Sequence, residues 1–289
     1  PEMAGDVLLH LGVPTRSCHE WAVPAADVEG ELFENEVIAE VRRTCRAAGR
    51  PDAYVAFRHL VIAKPVLTDL QFQNEVDTPE LHLLRAPLQR CYPPAPAECV
   101  VDGMVWCCAS CGNLLVQSPQ GPECVDDRCP RTRRARPGRA LPVAENVRWV
   151  AAPVRAFVSS PGRAELRLRD ALERYGVQVE LWPGFDAYDL RITFPDGQVW
   201  AVDVKDWANP VRLARHLRPL PREPRWDRAF LVPSRAAAAA VPGYVRTLRE
   251  RSRGRLDGSG TEVISEQRLL AQVRAALTTS RSPRRTPDA

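Results

Sequence analysis

Two alternating segments on either side of a Pro195-Asp196-Gly197 turn most constrain the fold of this 289-residue chain. Apolar side chains recur at every second position from Tyr188 to Phe194 and again from Trp200 to Val204. Because alternate residues of a strand face opposite sides, each segment has one apolar face, and the short turn predicts an antiparallel hairpin. The two apolar faces must coincide, so facing residues have position numbers that sum to 392 when the turn is centred on Asp196.

This register predicts a group of charged side chains on the other face of the hairpin. Asp189 is placed opposite Asp203, and Lys205 lies two residues further along the same strand. Facing carboxylates repel each other, and a divalent cation would turn that repulsion into a binding site. The alternative is a solvent-facing sheet with ordinary ion pairs among these residues and Arg191. The same register predicts three apolar pairs: Tyr188 with Val204, Leu190 with Val202, and Ile192 with Trp200.

The use of lysine singles out one member of this group. The chain has forty basic side chains, but Lys64 and Lys205 are its only lysines. An arginine stays protonated, whereas a lysine can shift its pKa and take part in proton transfer. A lysine kept beside two aspartates therefore indicates chemistry: it could orient or deprotonate an attacking water, or stabilise charge on a phosphate.

Five of the nine cysteines crowd into residues 107–129, which in an intracellular chain indicates a metal site and not disulfides. Cys108 and Cys111 are separated by two residues and followed by Gly112, a spacing typical of a zinc knuckle. Cys124 and Cys129 supply a second pair. Four thiolates could close a tetrahedron around Zn²⁺ and leave no open position, so the metal would be structural; Cys107 could replace Cys108. The segment resembles a zinc ribbon.

Composition divides the rest of the chain. Residues 1–100 show helical periodicity and predict a mainly helical scaffold or interaction domain, followed by the ribbon at 101–130. Residues 131–150 are rich in arginine and proline and predict a basic linker, which could contact phosphates or only increase solubility. Residues 151–279 predict the catalytic domain, and residues 280–289 predict a disordered tail.

Charge and hydropathy limit the function. Residues 1–149 carry a net charge of −4 and residues 150–289 carry +8, so the second half is the better candidate for binding a polyanion. The chain has no stretch of eighteen apolar residues and no signal-peptide pattern, which predicts a cytoplasmic protein without membrane contact.

A helix over about 161–175, three strands ending in the Asp189…Asp203-x-Lys205 hairpin, and a following helix and strand resemble the PD-(D/E)xK nuclease superfamily. The predicted fold class is α+β or α/β: a helical N-terminal region, a small zinc ribbon and a C-terminal restriction-endonuclease-like αβββαβ domain with a mixed sheet. The resemblance implies that Asp189 and Asp203 bind Mg²⁺ or Mn²⁺ and that Lys205 is the catalytic lysine. It also implies a metal- or water-positioning role for Glu165, for which Asp170 and Glu173 on the same helix are alternatives.

The resemblance implies a metal-dependent DNA endonuclease, similar to nucleases of bacterial antiviral and anti-plasmid defence systems that accompany a helicase or an Argonaute-like protein. Two alternatives remain open. The chain could be a catalytically silent DNA-binding or adaptor subunit of a larger complex, or a nuclease of the Holliday-junction-resolvase type, which would require a dimer.

Overall fold

The computed structural model of the chain describes residues 6–22 and 28–281. It divides into two compact units, with the boundary between Arg163 and Ala164. Most of the predicted C-terminal tail, residues 282–289, lies outside the described residues. Within the part of the chain that is described, no helix combines the length and the apolar character needed to cross a membrane.

Helices dominate the beginning of the first unit, and local signals explain their ends. Pro51 occupies the first turn of one helix, where a missing amide hydrogen costs nothing, and the Thr68 side chain and Gln71 form a capping box at the start of another. In chain order the elements are β1 (Leu9–His10), β2 (Val13–Pro14), α1 (Arg16–Ala22), α2 (Val28–Ala47), α3 (Pro51–Ala63), β3 (Val66–Leu67), α4 (Asp69–Val76) and α5 (Arg85–Cys91).

Short strands form the rest of the first unit. A three-stranded sheet has the order β4-β5-β8, while β6 pairs with β7 and β3 pairs with β9. The elements are β4 (Val100–Val101), β5 (Met104–Cys108), β6 (Leu115–Ser118), β7 (Gly121–Cys124), β8 (Pro137–Pro142), β9 (Arg148–Trp149) and α6 (Ala152–Val154).

The predicted linker at 131–150 is instead part of this folded unit. Strand β8 pairs with β5 through Leu141 opposite Val105, and β9 pairs with β3. Ala135, Leu141 and Val147 are buried, whereas the arginines around them stay at the surface. High arginine and proline content had suggested that no core could form, but three small or medium apolar side chains suffice to attach this segment to neighbouring strands.

The second unit is a mixed α/β structure around a five-stranded sheet of order β10-β11-β12-β13-β14. Strand β11 pairs antiparallel with both β10 and β12, whereas β13 pairs parallel with both β12 and β14. Its elements are α7 (Ser160–Glu173, which contains the division between the units), β10 (Gln178–Leu181), α8 (Pro183–Asp186), β11 (Leu190–Thr193), β12 (Val199–Lys205), α9 (Pro210–His216), β13 (Arg228–Pro233), α10 (Arg235–Ala240), α11 (Tyr244–Leu256), β14 (Thr261–Val263) and α12 (Glu266–Arg281).

The predicted hairpin register is confirmed. Leu190 faces Val202 and Ile192 faces Trp200, so facing residues sum to 392 as the apolar alternation required. These four side chains are almost completely buried. Strand β12 is the central strand of the sheet and carries both Asp203 and Lys205.

The prediction that apolar side chains alternate from Tyr188 onward is wrong at its first residue. Tyr188 was predicted to share a face with Leu190, but it packs in the apolar cluster that contains Ala201 and Leu231, on the other side of the sheet. The ladder begins only at Leu190, because the chain first passes through a turn with left-handed conformations at Phe185 and Asp186 and a helical conformation at Ala187.

Candidate metal and catalytic sites

Four cysteine side chains meet in the first unit. The sulfur atoms of Cys108, Cys111, Cys124 and Cys129 all lie within 4.8 Å of one another. The Cys108 and Cys129 sulfurs are 3.8 Å apart, and those of Cys111 and Cys124 are 3.4 Å apart. A tetrahedral zinc ion with bonds of about 2.3 Å requires sulfur separations of about 3.8 Å. The four cysteines therefore fit a zinc ion and could hold one.

Strand geometry decides between the two adjacent cysteines. Cys108 points into the sulfur cluster, whereas Cys107 packs in a separate apolar cluster with Val105 and Leu141. Neighbouring residues of a strand face opposite sides, so β5 can deliver only one of the two to the metal position. Gly112 follows the knuckle with a φ of +76°, a conformation that favours glycine.

A buried carboxylate that sequence reasoning missed supports the cysteine cluster. Asp126 is 1% exposed and accepts hydrogen bonds from the Ser160 hydroxyl at 3.0 Å and the Arg163 guanidinium at 2.5 Å. It also accepts from the side-chain amide of Asn113, which in turn donates to the sulfur of Cys111 at 3.6 Å. Partners of this kind orient metal ligands. Its place two residues after a ligand cysteine is the one sequence signal for it.

The electrostatics of the cluster suit a cation. Hydrogen bonds from the Cys124 and Cys129 thiols hold the pKa of Cys111 far below its usual value, with a smaller contribution from Arg163. One sulfur is therefore a thiolate even among its neighbouring thiols. Thiolates are the form in which cysteines bind metals.

The acidic group of the second unit comes from one helix and two strands. Helix α7 supplies Glu165, β12 supplies Asp203 and Lys205, and Asp189 lies one residue before β11. Glu165 and Asp189 are buried, with 5% and 8% of their surface exposed. The structure thus brings the four residues selected from the sequence into one electrostatic group.

Direct contacts organise the strand residues of this group. The Lys205 ammonium lies 2.7 Å from Oδ2 of Asp203. Oδ2 of Asp189 accepts a hydrogen bond of 2.6 Å from the backbone amide of Val204. Because the β11 ladder ends at Leu190, Asp189 reaches β12 with its side chain instead of its backbone. In both contacts one carboxylate oxygen is used, and the second oxygen is left for another ligand.

A tryptophan positions the helix residue. The Trp182 indole donates a 2.5 Å hydrogen bond to Oε2 of Glu165, and both side chains are buried. Trp182 has a φ of +48°, and Gly184, Phe185 and Asp186 after it also have positive φ. Such backbone conformations cost free energy in non-glycine residues and are concentrated at functional sites. Sequence reasoning missed Trp182, because nothing in the strand pattern distinguishes it from a core residue.

Like charges raise the pKa of the most buried carboxyl. Burial, followed by repulsion from Glu165 and Asp203, raises the pKa of Asp189 well above its usual value. Burial opposes the charge of Lys205, but the attraction of Asp203 and Asp189 outweighs it and raises the pKa of Lys205 above its usual value. The lysine is therefore protonated, and a bound cation would relieve the repulsion that makes ionisation of Asp189 unfavourable.

The cysteine cluster and the acidic group differ in whether their own side chains can complete the coordination of an ion. Among the described residues, the cysteines are the one set of three or more His, Cys, Asp or Glu side chains whose ligand atoms approach closely enough to share an ion. The three carboxylates do not form such a set. Magnesium usually takes one or two carboxylates and completes its shell with water and substrate phosphate, so Asp189 and Asp203 would be sufficient.

Two family models match the chain. Residues 162–281 match a family described as "REase associating with pPIWI_RE". Residues 2–68 match a family described as "pPIWI_RE three-gene island domain Y". No curated protein and no solved structure matches. The first match covers the described part of the second unit, including all four residues of the acidic group, and indicates a restriction-endonuclease-like domain there.

Proposed function

We propose that the second unit is a metal-dependent endonuclease that hydrolyses the phosphodiester backbone of DNA, with a PD-(D/E)xK site. The observation that carries the proposal is the convergence of Glu165, Asp189, Asp203 and Lys205, with an Asp189 whose pKa is raised by burial and then by the adjacent carboxylates. The match to a family described as a REase supports the same reaction class.

Asp189 and Asp203 would hold Mg²⁺ or Mn²⁺ through the carboxylate oxygens that Val204 and Lys205 do not engage. When bound, the cation neutralises charge on the scissile phosphate and makes a coordinated water more acidic. The hydrogen bond from Val204 fixes the Asp189 carboxylate, so the two aspartates are oriented before the cation arrives.

Lys205 would act as a cation and hydrogen-bond donor. Its contact with Asp203 keeps the ammonium in place, and the neighbouring carboxylates keep it protonated. A protonated lysine cannot accept a proton from water. Of the roles open at the outset, this favours orienting the attacking water and stabilising charge on the phosphate over deprotonating the water.

Glu165 would accept the proton that the attacking water loses. Trp182 fixes one of its oxygens at 2.5 Å, so the orientation of the carboxylate is set by a buried indole and not by solvent.

The wider role would be in a bacterial defence system. The two family descriptions name pPIWI_RE and a three-gene island, which supports a partner protein encoded beside this chain. A PIWI-type partner agrees with the Argonaute-like partner that the sequence resemblance implied. Co-purification of this chain with the neighbouring pPIWI_RE product is the test, and separate elution of the two would contradict the association.

Cleavage of supercoiled plasmid tests the nuclease. Wild type, Lys205→Ala and Lys64→Ala are compared with Mg²⁺, with Mn²⁺ and without divalent cation. Lys64 is the matched control, because it is the only other lysine and forms an exposed ion pair with Glu75. Cleavage that requires the cation and Lys205, but not Lys64, supports the proposal. If folded wild type with its pPIWI_RE partner never cleaves, the adaptor alternative replaces it.

A further inference from the structure

Four exposed arginines form a ridge in the first unit that no function above uses. We define the arginine ridge as Arg131, Arg133, Arg134 and Arg136, which fall within six consecutive residues. Among the described residues, none of the four side chains has an acidic partner within ion-pair distance, unlike Arg148 with Asp69 or Arg163 with Asp126. The ridge therefore presents four positive charges to solvent.

The backbone of the ridge is held against the cysteine cluster. A short 3-10 turn, Thr132–Arg134, starts three residues after the ligand Cys129. The Thr132 hydroxyl donates to the carbonyls of Cys129 at 2.5 Å and Asp126 at 3.0 Å, and Ala135 is buried beside the sulfur atoms. The carbonyl of Arg136 accepts from the amide of Ala109 at 2.9 Å. Cationic side chains on a fixed backbone lose less entropy on binding than those of a flexible linker.

An open groove of about 740 Å³ runs along the ridge. Arg131, Arg133 and Arg134 line it, together with His10 and Arg16. Of the two acidic residues in its wall, Asp127 is engaged by the Arg16 backbone amide at 2.7 Å, and Asp6 is engaged by the Trp21 indole at 2.9 Å. The groove thus combines a concave shape with an excess of positive charge.

The chemistry of the ridge fits a phosphate backbone. Guanidinium groups bind phosphate through paired hydrogen bonds, and the exposed positions allow each side chain to reach a different phosphate. Binding of single strands usually relies on aromatic platforms for the bases, but residues 130–140 contain no aromatic side chain. Regularly spaced phosphates of a duplex need no such platform.

We propose that the arginine ridge binds the phosphate backbone of duplex DNA without reading its sequence. The choice of DNA over duplex RNA rests on the proposed nuclease function. The ridge would add a second contact to the same nucleic acid, outside the catalytic unit. Each phosphate contact steepens the dependence of log affinity on log salt by about 0.9, so the ridge has a characteristic signature.

The test uses the full-length Lys205→Ala chain, so binding is measured without cleavage and without a chelator that would remove zinc. The anisotropy of a labelled duplex of about 30 base pairs is titrated between about 50 and 300 mM NaCl. The ridge variant is Arg131→Gln/Arg133→Gln/Arg134→Gln. The matched control is Arg251→Gln/Arg253→Gln/Arg255→Gln on α11, which removes the same charge from exposed positions of the second unit.

We expect the ridge variant to bind about tenfold or more weakly at about 150 mM salt, with a salt slope lower by about 2 to 3. The control should stay within about threefold of the parent and keep its slope. Unchanged binding by the ridge variant would overturn the proposal, as would an equal loss in the control. Tighter binding of a duplex RNA of the same sequence would overturn the choice of DNA.

Two further measurements separate the possible causes of failure. Zinc content of one ion per chain and an unchanged melting temperature show that the ridge variant is folded, because the substituted side chains are exposed. Plasmid cleavage is measured on the ridge variant with Lys205 intact. If wild type never cleaves but the ridge still governs DNA binding, the nuclease proposal fails and the ridge proposal stands.

Discussion

The cysteine cluster and the acidic group each gather charged ligand-type side chains, but they do so in different ways. The four cysteines fall within 22 consecutive residues and approach to sulfur distances that a single ion can span. The three carboxylates lie up to 38 positions apart in the sequence, and the three together do not share one ion position. A closed set of ligands holds a fold together, whereas an open set leaves room for substrate.

The largest effect should follow from opening the closed site. Cys124→Ala removes one of the four cysteines that could hold zinc, a fully buried side chain, and structural zinc in zinc-finger peptides contributes about 10–16 kcal/mol. We expect loss of bound zinc and proteolysis within residues 100–150, while the second unit keeps its own unfolding transition. Metal analysis and limited proteolysis measure both.

Cys107→Ala is the matched control for that change. Cys107 lies in the apolar cluster beside the site, so the substitution should cost about 1 kcal/mol and leave the zinc content at one ion per chain. Equal zinc loss from Cys107→Ala and Cys108→Ala would show that the division of the two cysteines between faces is wrong.

The next largest effect should be a loss of cleavage activity with little change in stability. Asp203→Asn should reduce kcat for plasmid cleavage by about 10³-fold or more, equivalent to about 4 kcal/mol, because one of the two proposed cation ligands and the partner of Lys205 are lost. The melting temperature should change little. If Asp203→Asn unfolds the second unit, the acidic group is structural and the contrast with the cysteine cluster disappears.

A smaller effect, an increase in the free energy of unfolding, is expected for Asp189→Asn. Burial and like charges raise the pKa of Asp189, so metal-free wild type loses stability as pH rises from about 4 through the raised pKa. Asparagine can still accept from Val204 but carries no charge. We expect Asp189→Asn to be more stable than wild type by roughly 1–3 kcal/mol at pH 8 and nearly equal at pH 4.

Added Mn²⁺ should make wild type more stable than Asp189→Asn at pH 8, because the cation stabilises wild type and not the variant. Thermal melts at the two pH values, with and without Mn²⁺, measure this. Equal stabilisation of both proteins by Mn²⁺ would remove Asp189 from the cation site.

The smallest effect should come from Trp182→Phe. Loss of the indole hydrogen bond releases one oxygen of Glu165, and we expect kcat to fall about tenfold, or about 1.4 kcal/mol, with KM unchanged. Trp226→Phe is the control, since its indole donates to the Pro221 carbonyl at 2.7 Å within the same unit. A similar loss of kcat in both variants would assign the effect to packing.

Local periodicity was enough to predict the hairpin. The alternation on both sides of the turn fixed the pairing of Leu190 with Val202, because a shift by one residue would expose every apolar side chain. Cysteine spacing likewise indicated which sulfurs converge, apart from the choice between Cys107 and Cys108. That choice follows from the opposite orientation of neighbouring side chains on β5.

Features that depend on distant partners could not be predicted in this way. The attachment of β8 needs β5, some 30 residues earlier, and the arginines between them masked the buried Leu141. The alternation of apolar residues runs on through Tyr188 and gives no sign of the left-handed turn that ends at Asp186, so Tyr188 was assigned to the wrong face. Asp126 is buried only because Ser160 and Arg163 reach it from a later helix.

The central place of β12 has a consequence for hydrogen exchange. Its backbone is shielded on both sides, by β11 and β13, so amides such as that of Val202 should exchange with solvent only when the whole unit opens. Residues 183–188 lie outside the strands and should exchange sooner. Deuterium uptake would then place Asp203 and Lys205 on the slowest-exchanging strand, next to a turn that exchanges sooner.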